Sequence, residues 1–493
     1  MKISIDKSSK VPVYLQIADQ IKAQIISGAL PRSSALPSER ALARILDVHR
    51  NTVVKAYGEL KSDAWIESRQ GVGYLVASAS TEKEPVGESG EGVQMGRVNW
   101  VNEVADKYLD MEKTFDDLFQ RFTDESHFSL GSGIASREVY SSERVAHDIA
   151  GLLTGSGPSQ YFFSPYKGDR FLRQKLASFL GTKGVRASSG EIQILSETNQ
   201  ALDFIVTLLV KPGDSVVMEE PVHPDMYRVM ELAGARILTV PVDEDGMNCD
   251  VLESLLTQTR PRLIFVNSSF HDPTGCILSL ERRKKLVELS SRYRIPIVEE
   301  DAASELVYDG DKLPPIKAFD TTGNVIYIYS FSLTFIPGLS LAFVTGNRDF
   351  VRALSYLVSV RLMASDWMTQ KLLGMYLDDG SYYSSLATFR EIYSGNRDLV
   401  CQKLDALAHL GVRYERPRGG VYVWCRLPDG VDSKHFINRA YNMGVTLIPG
   451  HVFYPYKNGG RGYIRINYSY ESRERLACGM DVLHKALEEE LEE

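Results

Sequence analysis

Residues 36–53 read LPSERALARILDVHRNTV, and this stretch decides how the N-terminal part of the chain folds. Ser38 stands at the N-cap position of a helix, where its hydroxyl oxygen can accept a hydrogen bond from a backbone amide of the first turn. Residues 47–48 form a short turn, and a further helix is predicted from about His49 to Asp63. Two helices joined by a tight turn are typical of a helix-turn-helix.

The residues on either side of this stretch complete a small domain. Upstream, one face of a helix that ends near Gly28 carries the apolar residues Tyr14, Ile17, Ala18, Ile21 and Ile25. Downstream, residues 65–68 and 74–76 flank a glycine-containing turn and predict a β-hairpin, or wing. Residues 1–77 are therefore predicted to form a winged helix-turn-helix, which places its second motif helix in the major groove of DNA.

The charge of the chain is divided unevenly. The whole chain has a formal net charge of −8, whereas residues 1–80 alone carry 11 Lys and Arg against 7 Asp and Glu. A basic head on an acidic body favours a regulator that holds DNA at one end. Residues 78–100 are rich in Gly, Ser and Glu and lack apolar periodicity, so residues 78–126 are interpreted as a flexible linker with a possible helix.

Beyond the linker, short apolar runs alternate with helical patterns. The runs that read as buried parallel strands are SVVME at 215–219, LIFVN at 263–267, IPIVE at 295–299 and VIYIY at 325–329. Helical patterns at 199–210 and 280–293 separate some of them. This alternation predicts a doubly wound α/β domain over residues 127–364. Shorter strands near 420–427 and 462–468 predict a smaller α+β domain over residues 365–493.

The composition excludes several classes of protein. A chain of 493 residues, 44% of them hydrophobic, has enough apolar material for about two to four packed domains. It contains no run of about 18 apolar residues and no signal-peptide pattern, so we expect a cytoplasmic protein that does not bind a membrane. The five cysteines form no Cys-x-x-Cys pair, which fits a reducing compartment and argues against a structural zinc site or other bound metal.

The N-terminal domain resembles the GntR-type winged-helix family. The resemblance lies in LPSERALA at 36–43, RNTV at 50–53 and RQGVG at 69–73. It implies that double-stranded operator DNA is the partner. The DNA contacts that follow from the resemblance and from the helix-turn-helix plan are Ser38, Arg40, Arg50, Thr52, Lys55, Arg69 and Gly71. The alternative is a small helical domain whose basic face is merely solvated, which the agreement of spacing, charge and wing disfavours.

Residues 127–485 resemble the fold-type I, class I/II aminotransferases. The landmarks include YKGDRFLR at 166–173, DPTG at 272–275, SFS at 330–332 and IPGL at 336–339. A GntR-type head joined to such a body is the domain organisation of the MocR/GabR family of transcriptional regulators. That resemblance implies a head-to-tail homodimer, which would present two heads to paired half-sites.

The resemblance also implies that the cofactor site is altered. In the family, a lysine after Ser-Phe-Ser forms the internal aldimine with pyridoxal phosphate and moves a proton during transamination. Leu333 stands at that position and can do neither. Asp272 replaces an Asn, and Ser340 replaces an Arg that binds phosphate. Glu300 replaces the Asp that pairs with the pyridine nitrogen, although Asp301 could stand in for it.

The altered positions form a vestigial site. Its members are Thr198, His223, Asp272, Glu300, Ser330, Ser332, Leu333 and Ser340. We therefore expect no catalytic residue and no bound cofactor, and pyridoxal phosphate is implied by the family resemblance alone.

Two groups of charged residues leave alternatives open. Arg465 matches the family arginine that grips a substrate carboxylate. It is either a retained anchor for a small carboxylate effector, through a bidentate contact, or a structural arginine paired with an acidic neighbour. The carboxylates of Glu197, Asp272 and Glu300 are either solvated and mutually paired or bind a cationic ligand such as an amine.

The sequence thus predicts a sequence-specific DNA-binding transcriptional regulator. Its body would dimerise and sense a small carboxylate or amine effector without transaminase activity. One alternative is a regulator or aminotransferase that binds pyridoxal phosphate non-covalently or through another amine. Another is a scaffold whose body only dimerises.

Overall fold

The computed structural model describes residues 3, 5, 12–26, 29–31, 34–46, 48–62, 65–69, 73–76, 121, 126–136, 138–155, 165–362, 366–456 and 459–492. The chain divides into two compact units, residues 1–112 and 113–493. Within the described ranges, no helix is long and apolar enough to cross a membrane.

The first unit is the predicted winged helix-turn-helix. It contains α1 (Val13–Ile26), α2 (Glu39–Leu46), α3 (Arg50–Ser62), β1 (Ile66–Arg69) and β2 (Gly73–Val76). The strands β1 and β2 pair antiparallel and form the wing. The apolar faces of the three helices meet in one core, whose fully buried members include Ile17, Ile21, Val53, Tyr57 and Leu60. The spacing of apolar residues in the sequence therefore identified the inward faces correctly.

The second unit is built around a mixed eight-stranded sheet, in the order β4-β11-β10-β9-β8-β5-β6-β7. The strands are β4 (Ile192–Leu195), β5 (Ser215–Glu220), β6 (Arg236–Asp243), β7 (Gly246–Met247), β8 (Ile264–Asn267), β9 (Ile297–Asp301), β10 (Val325–Ser330) and β11 (Ala342–Thr345). The central strands β10, β9, β8, β5 and β6 are parallel, whereas β11 and β7 run antiparallel to their neighbours. The four predicted parallel strands are all present.

Helices cover both faces of this sheet. They are α4 (Ser142–Gly155), α5 (Arg170–Thr182), α6 (Thr198–Leu209), α7 (Pro224–Leu232), α8 (Cys249–Gln258), α9 (Leu280–Tyr293) and α10 (Arg348–Arg361). Alternate residues of β5 enter different cores: Val216 and Met218 pack with residues of α6, α7 and α10, and Val217 packs with residues of α8 and α9. Burial on both faces explains why these strands read as continuous apolar runs.

The C-terminal part of the second unit adds a four-stranded antiparallel sheet, in the order β12-β13-β16-β15. The helices and strands of this C-terminal part are α11 (Trp367–Asp378), α12 (Ser381–Asp405), β12 (Arg413–Tyr414), β13 (Tyr422–Arg426), α13 (Ser433–Asn442), β14 (Val445–Thr446), β15 (Ile448–Pro449), β16 (Tyr463–Asn467) and α14 (Arg473–Glu492). A short strand at the start of the unit, β3 (Phe128–Ser129), pairs with β14. The segment around Phe128 therefore packs against the C-terminal part of the second unit.

Candidate functional site

In the first unit, α3 turns one side to the core and the other outward. Val53 and Tyr57 are fully buried, whereas Arg50 and Lys55 are exposed and Thr52 is half-buried. Arg50 is the first residue of α3, so its side chain belongs to the N-terminal end of this helix. In helix-turn-helix domains, this is the end of the recognition helix that contacts bases in the major groove of DNA. The predicted base-contacting side chains therefore share the outward side of one helix.

Arg50 does not stand alone. Its Nε and Nη2 atoms donate to Oε2 of Glu39, at 3.2 and 2.8 Å, and Oε1 of Glu39 accepts from the hydroxyl of Tyr74 at 3.2 Å. Glu39 thereby joins α2, α3 and the wing. Glu39 is not among the residues that the sequence predicts to contact DNA. Its only sequence signal is a carboxylate in the first turn of α2, which reads equally well as an ordinary helix-dipole residue.

The other predicted DNA contacts have mixed positions. Ser38 accepts a hydrogen bond from the amide of Ala41 at 3.3 Å, so its side chain serves as the predicted N-cap of α2. Arg40 is exposed on α2. Arg69 ends β1, but its side chain and the whole of Gly71 lie outside the described residues.

In the second unit, the carboxyl ends of the parallel strands border a cavity of about 130 Å³. Its lining residues are Thr198, His223, Met226, Asn267, Ser269, Phe270, Asp272, Glu300, Ala302, Ala303, Ser332 and Leu333. This is the edge at which open α/β sheets bind ligands. Six of the eight predicted vestigial residues meet here, and Ser330 and Ser340 are not among the lining residues.

The residue that the sequence resemblance aligns with the family lysine, Leu333, packs against apolar side chains. Leu333 is 5% exposed and belongs to the same hydrophobic core as Phe331 and Phe335. The nearby serines bond to each other, because Ser330 donates to the hydroxyl of Ser332 at 3.0 Å. The hydroxyl of Ser340 is buried and has no hydrogen-bond partner.

Arg465 forms a buried ion pair with Asp272. Its Nη1 atom lies 2.7 Å from each carboxylate oxygen of Asp272, and its Nη2 atom donates to the carbonyl of Gly131 at 3.0 Å. Burial acts to raise the pKa of Asp272, but Arg465 and His223 together hold that pKa below its ordinary value. Of the two interpretations of Arg465, the structure contains the pairing with an acidic neighbour.

Glu300 is the unusual carboxyl of the cavity. It is 7% exposed, and its carboxyl accepts a hydrogen bond from the amide nitrogen of Asn267, at 2.5 Å. Burial, together with the negative charges of Asp301, Asp272 and Glu299, raises the pKa of Glu300 to about 8. Glu300 therefore carries a proton for much of the time near neutral pH.

Asp301, which the sequence offered as a substitute for Glu300, is engaged elsewhere. Its Oδ2 atom accepts from the hydroxyls of Tyr327 and Ser304, both at 2.6 Å, and lies 3.7 Å from the ammonium of the buried Lys183. Asp301 is also absent from the lining of the cavity. It is therefore not available to a ring bound there, and the suggestion that it could stand in for Glu300 was wrong.

These residues do not fit pyridoxal phosphate. None of the twelve lining residues is a lysine or an arginine, so the cavity offers neither an amine for an aldimine nor a cation for a phosphate. The guanidinium of Arg465, which contacts the lining residue Asp272, is held by that carboxylate. The cavity is also small, since sites for organic cofactors usually measure about 300 Å³ or more.

Comparisons with known proteins match this two-part organisation. The aminotransferase class I and II family matches residues 125–481. The gntR family of bacterial regulatory proteins matches residues 13–76. The chain therefore belongs to the class I and II aminotransferase family and carries a GntR-type regulatory domain ahead of the aminotransferase-like body.

Individual relatives narrow the class to the GntR/MocR-like transcriptional regulators. The chain is 27% identical to YisV, an uncharacterized HTH-type transcriptional regulator of Bacillus subtilis, over 96% of both chains. It is 28% identical to MocR of Rhizobium meliloti, a probable rhizopine catabolism regulatory protein, over 90% of this chain and 88% of MocR. Among solved structures, the α-aminoadipate aminotransferase LysN of Thermus thermophilus matches 80% of this chain and 99% of its own, with 28% identity and a TM-score of 0.73.

Proposed function

We propose that this protein is a sequence-specific DNA-binding transcriptional regulator whose aminotransferase-like body dimerises and holds a small effector without catalysing transamination. The proposal rests on the pairing of a GntR-type head with a body in which the buried Leu333 stands where the sequence resemblance expects the family lysine. The names of relatives that match nearly the whole chain agree with a regulatory role.

DNA binding is assigned to the outward side of α3. Arg50 and Lys55 are exposed there. Arg50 is held by Glu39 through Nε and one hydrogen of Nη2, which leaves Nη1 and the second hydrogen of Nη2 to donate to a base. Arginine is the residue that most often reads guanine, through two hydrogen bonds to O6 and N7. Lys55 and Arg40 supply charge for phosphate contacts, which position the domain without reading sequence.

The body is assigned the roles of dimerisation and sensing. A two-fold dimer would bring two heads to two half-sites, as operators of helix-turn-helix proteins require. An effector in the cavity can change DNA binding only if it binds one arrangement of the body more tightly than another. The absence of a lysine from the cavity lining supports sensing without the aminotransferase reaction.

The test is selection of DNA by the full-length protein from a pool of random duplexes, followed by binding measurements on the enriched sequence. We expect enrichment of a paired motif and an affinity that falls steeply with salt, because each neutralised phosphate adds about −0.9 to the slope of log affinity against log salt. The Arg50→Ala variant should lose preference for the motif. No enrichment by the wild-type protein would refute the DNA-binding role.

A matched control is available on the body. Arg352 on α10 is 82% exposed and pairs only with Asp349, at 3.1 Å, among the described contacts. The Arg352→Ala variant removes the same charge as Arg50→Ala, from a residue to which we assign no part in DNA binding. It should retain the motif preference of the wild-type protein. Equal losses in the two variants would mean that net charge, and not the outward side of α3, determines binding.

A further inference from the structure

Four carboxyl groups lie close together at the carboxyl ends of β8 and β9, and three of them are satisfied. Asp272 is paired with Arg465. Asp301 accepts from Tyr327 and Ser304 and lies near Lys183. Glu299 accepts from the hydroxyl of Ser268, at 2.6 Å, and from the backbone amides of Ile316 and Lys317, at 2.7 and 2.8 Å.

Glu300 is the exception. It borders the cavity, as Asp272 does, but no cation is paired with it among the described residues. Among the described residues, no lysine or arginine forms an ion pair with it, and the hydrogen bond to its carboxyl comes from the neutral amide of Asn267. It is nevertheless more than nine-tenths buried. A buried carboxyl in such surroundings either keeps its proton or needs a positive partner.

The rest of the cavity wall is suited to the same kind of partner. Thr198, Ser269 and Ser332 contribute hydroxyl oxygens, and none of the lining residues carries a permanent positive charge. The Oδ1 atom of Asn267, beside Glu300, is buried and has no hydrogen-bond partner. The wall therefore offers several acceptors and no cation of its own, which favours an ammonium group over an anion as the ligand.

We propose that this cavity binds a small molecule bearing a primary ammonium group, with Glu300 as its counter-ion. The inference rests on the proposed function, because it names the chemical class of the effector for the same cleft. The cavity is small, at about 130 Å³. The ammonium and a short alkyl stem therefore fit inside, and any larger part of the ligand lies at the mouth.

Binding should release a proton. Glu300 is largely protonated near pH 7.5 in the free protein, because its pKa is about 8. A bound ammonium group stabilises the carboxylate form and lowers that pKa, so the proton passes to the buffer. The amide of Asn267 already donates to Glu300, which is the orientation that an ionised carboxylate needs.

The experiment is isothermal titration calorimetry of the full chain with n-propylammonium chloride at pH 7.5, in two buffers of different ionisation enthalpy. We expect saturable binding with net release of a fraction of one proton per ligand. Sodium propionate, which has the same length and the opposite charge, should not bind. Stronger binding of propionate, or no saturable heat with propylammonium at millimolar concentration, overturns the proposal.

Two variants with the same change of charge locate the site. Glu300→Gln keeps the size and hydrogen-bonding capacity of the side chain, and should weaken propylammonium binding about tenfold or more and abolish proton release. Glu281→Gln alters an exposed residue in the first turn of α9, outside the lining, and should bind like the wild-type protein. Unchanged binding by Glu300→Gln refutes the assignment.

Retention of the selected DNA is measured on the same samples, so the two proposals fail separately. A protein that retains the motif but does not bind propylammonium keeps its regulatory function and loses this effector class. A protein that binds propylammonium through Glu300 but retains no DNA supports the site and refutes the DNA-binding role.

Discussion

The ion pair between Asp272 and Arg465 should stabilise the body substantially, and the Asp272→Asn variant tests this. Asp272 follows β8 of the large sheet, and Arg465 lies on β16 of the small sheet, so the pair joins the two sheets. The side chain of Arg465 is 2% exposed and that of Asp272 is 15% exposed. The guanidinium also lies 4.2 Å from the centre of the Tyr422 ring.

The magnitude follows from this burial. Removing one partner of a buried ion pair costs about 3–5 kcal/mol, because the remaining charge has no counter-ion. Asparagine keeps one oxygen that can accept from Arg465, so we expect a loss near the lower end, about 3 kcal/mol in the free energy of unfolding. Arg465→Met should cost a similar amount, because it leaves the carboxylate of Asp272 uncompensated.

The assay is urea unfolding of the full-length wild-type protein, the two single variants and the double variant. The double variant should lose less than the sum of the single losses, since neither charge remains. Asp429→Asn is the control: Asp429 pairs with Arg426 at 3.0 Å, and both side chains are exposed, so its loss should be below about 1 kcal/mol. Additive losses, or an Asp272→Asn variant as stable as the control, would refute the reasoning.

Three further predictions follow from the head and the cavity. Glu39→Gln should weaken binding to the selected motif by about 0.5–1.5 kcal/mol, because Arg50 loses a charged partner that orders its side chain. Affinity for unrelated DNA should not fall. Competition binding with both DNAs gives the ratio of the two affinities. Leu333→Lys should give no amino transfer from an amino acid to an α-keto acid when pyridoxal phosphate is supplied, because the lining still lacks a cation for the phosphate; measurable turnover would contradict this. Between pH 4.5, the ordinary pKa of a glutamate, and about pH 8, Glu300 binds more protons in the folded than in the unfolded state. The free energy of unfolding should therefore fall as pH rises through this range, by at most about 1.4 kcal/mol per pH unit relative to the Glu300→Gln variant. The same pH dependence in both proteins would argue against the raised pKa of Glu300.

Much of the fold follows from local sequence signals. Helix α9 (Leu280–Tyr293) was predicted to the residue, because Ser279 caps its start and the chain leaves the helix at Arg294, in a left-handed conformation. The strand predicted at 295–299 begins instead at Ile297. Pro296 has no amide hydrogen to donate to a neighbouring strand, which accounts for the later start.

The candidate site was predictable in part. His223, Asp272 and Glu300 meet because they follow or end parallel strands of one sheet, and carboxyl ends of such strands share an edge. The partner of Arg465 was not predictable, because Asp272 is 193 residues away and several carboxylates were candidates. The engagement of Asp301 by Tyr327, Ser304 and Lys183 likewise depends on packing between distant segments.

The proposed function requires that the body of this regulator forms no aldimine with pyridoxal phosphate. The most direct measurement is the intact mass of the full-length folded protein after incubation with pyridoxal phosphate and reduction with borohydride, followed by peptide mapping to locate any modified lysine. We expect only low labelling spread over several exposed lysines. A stoichiometric adduct on a single lysine of the folded protein would contradict it.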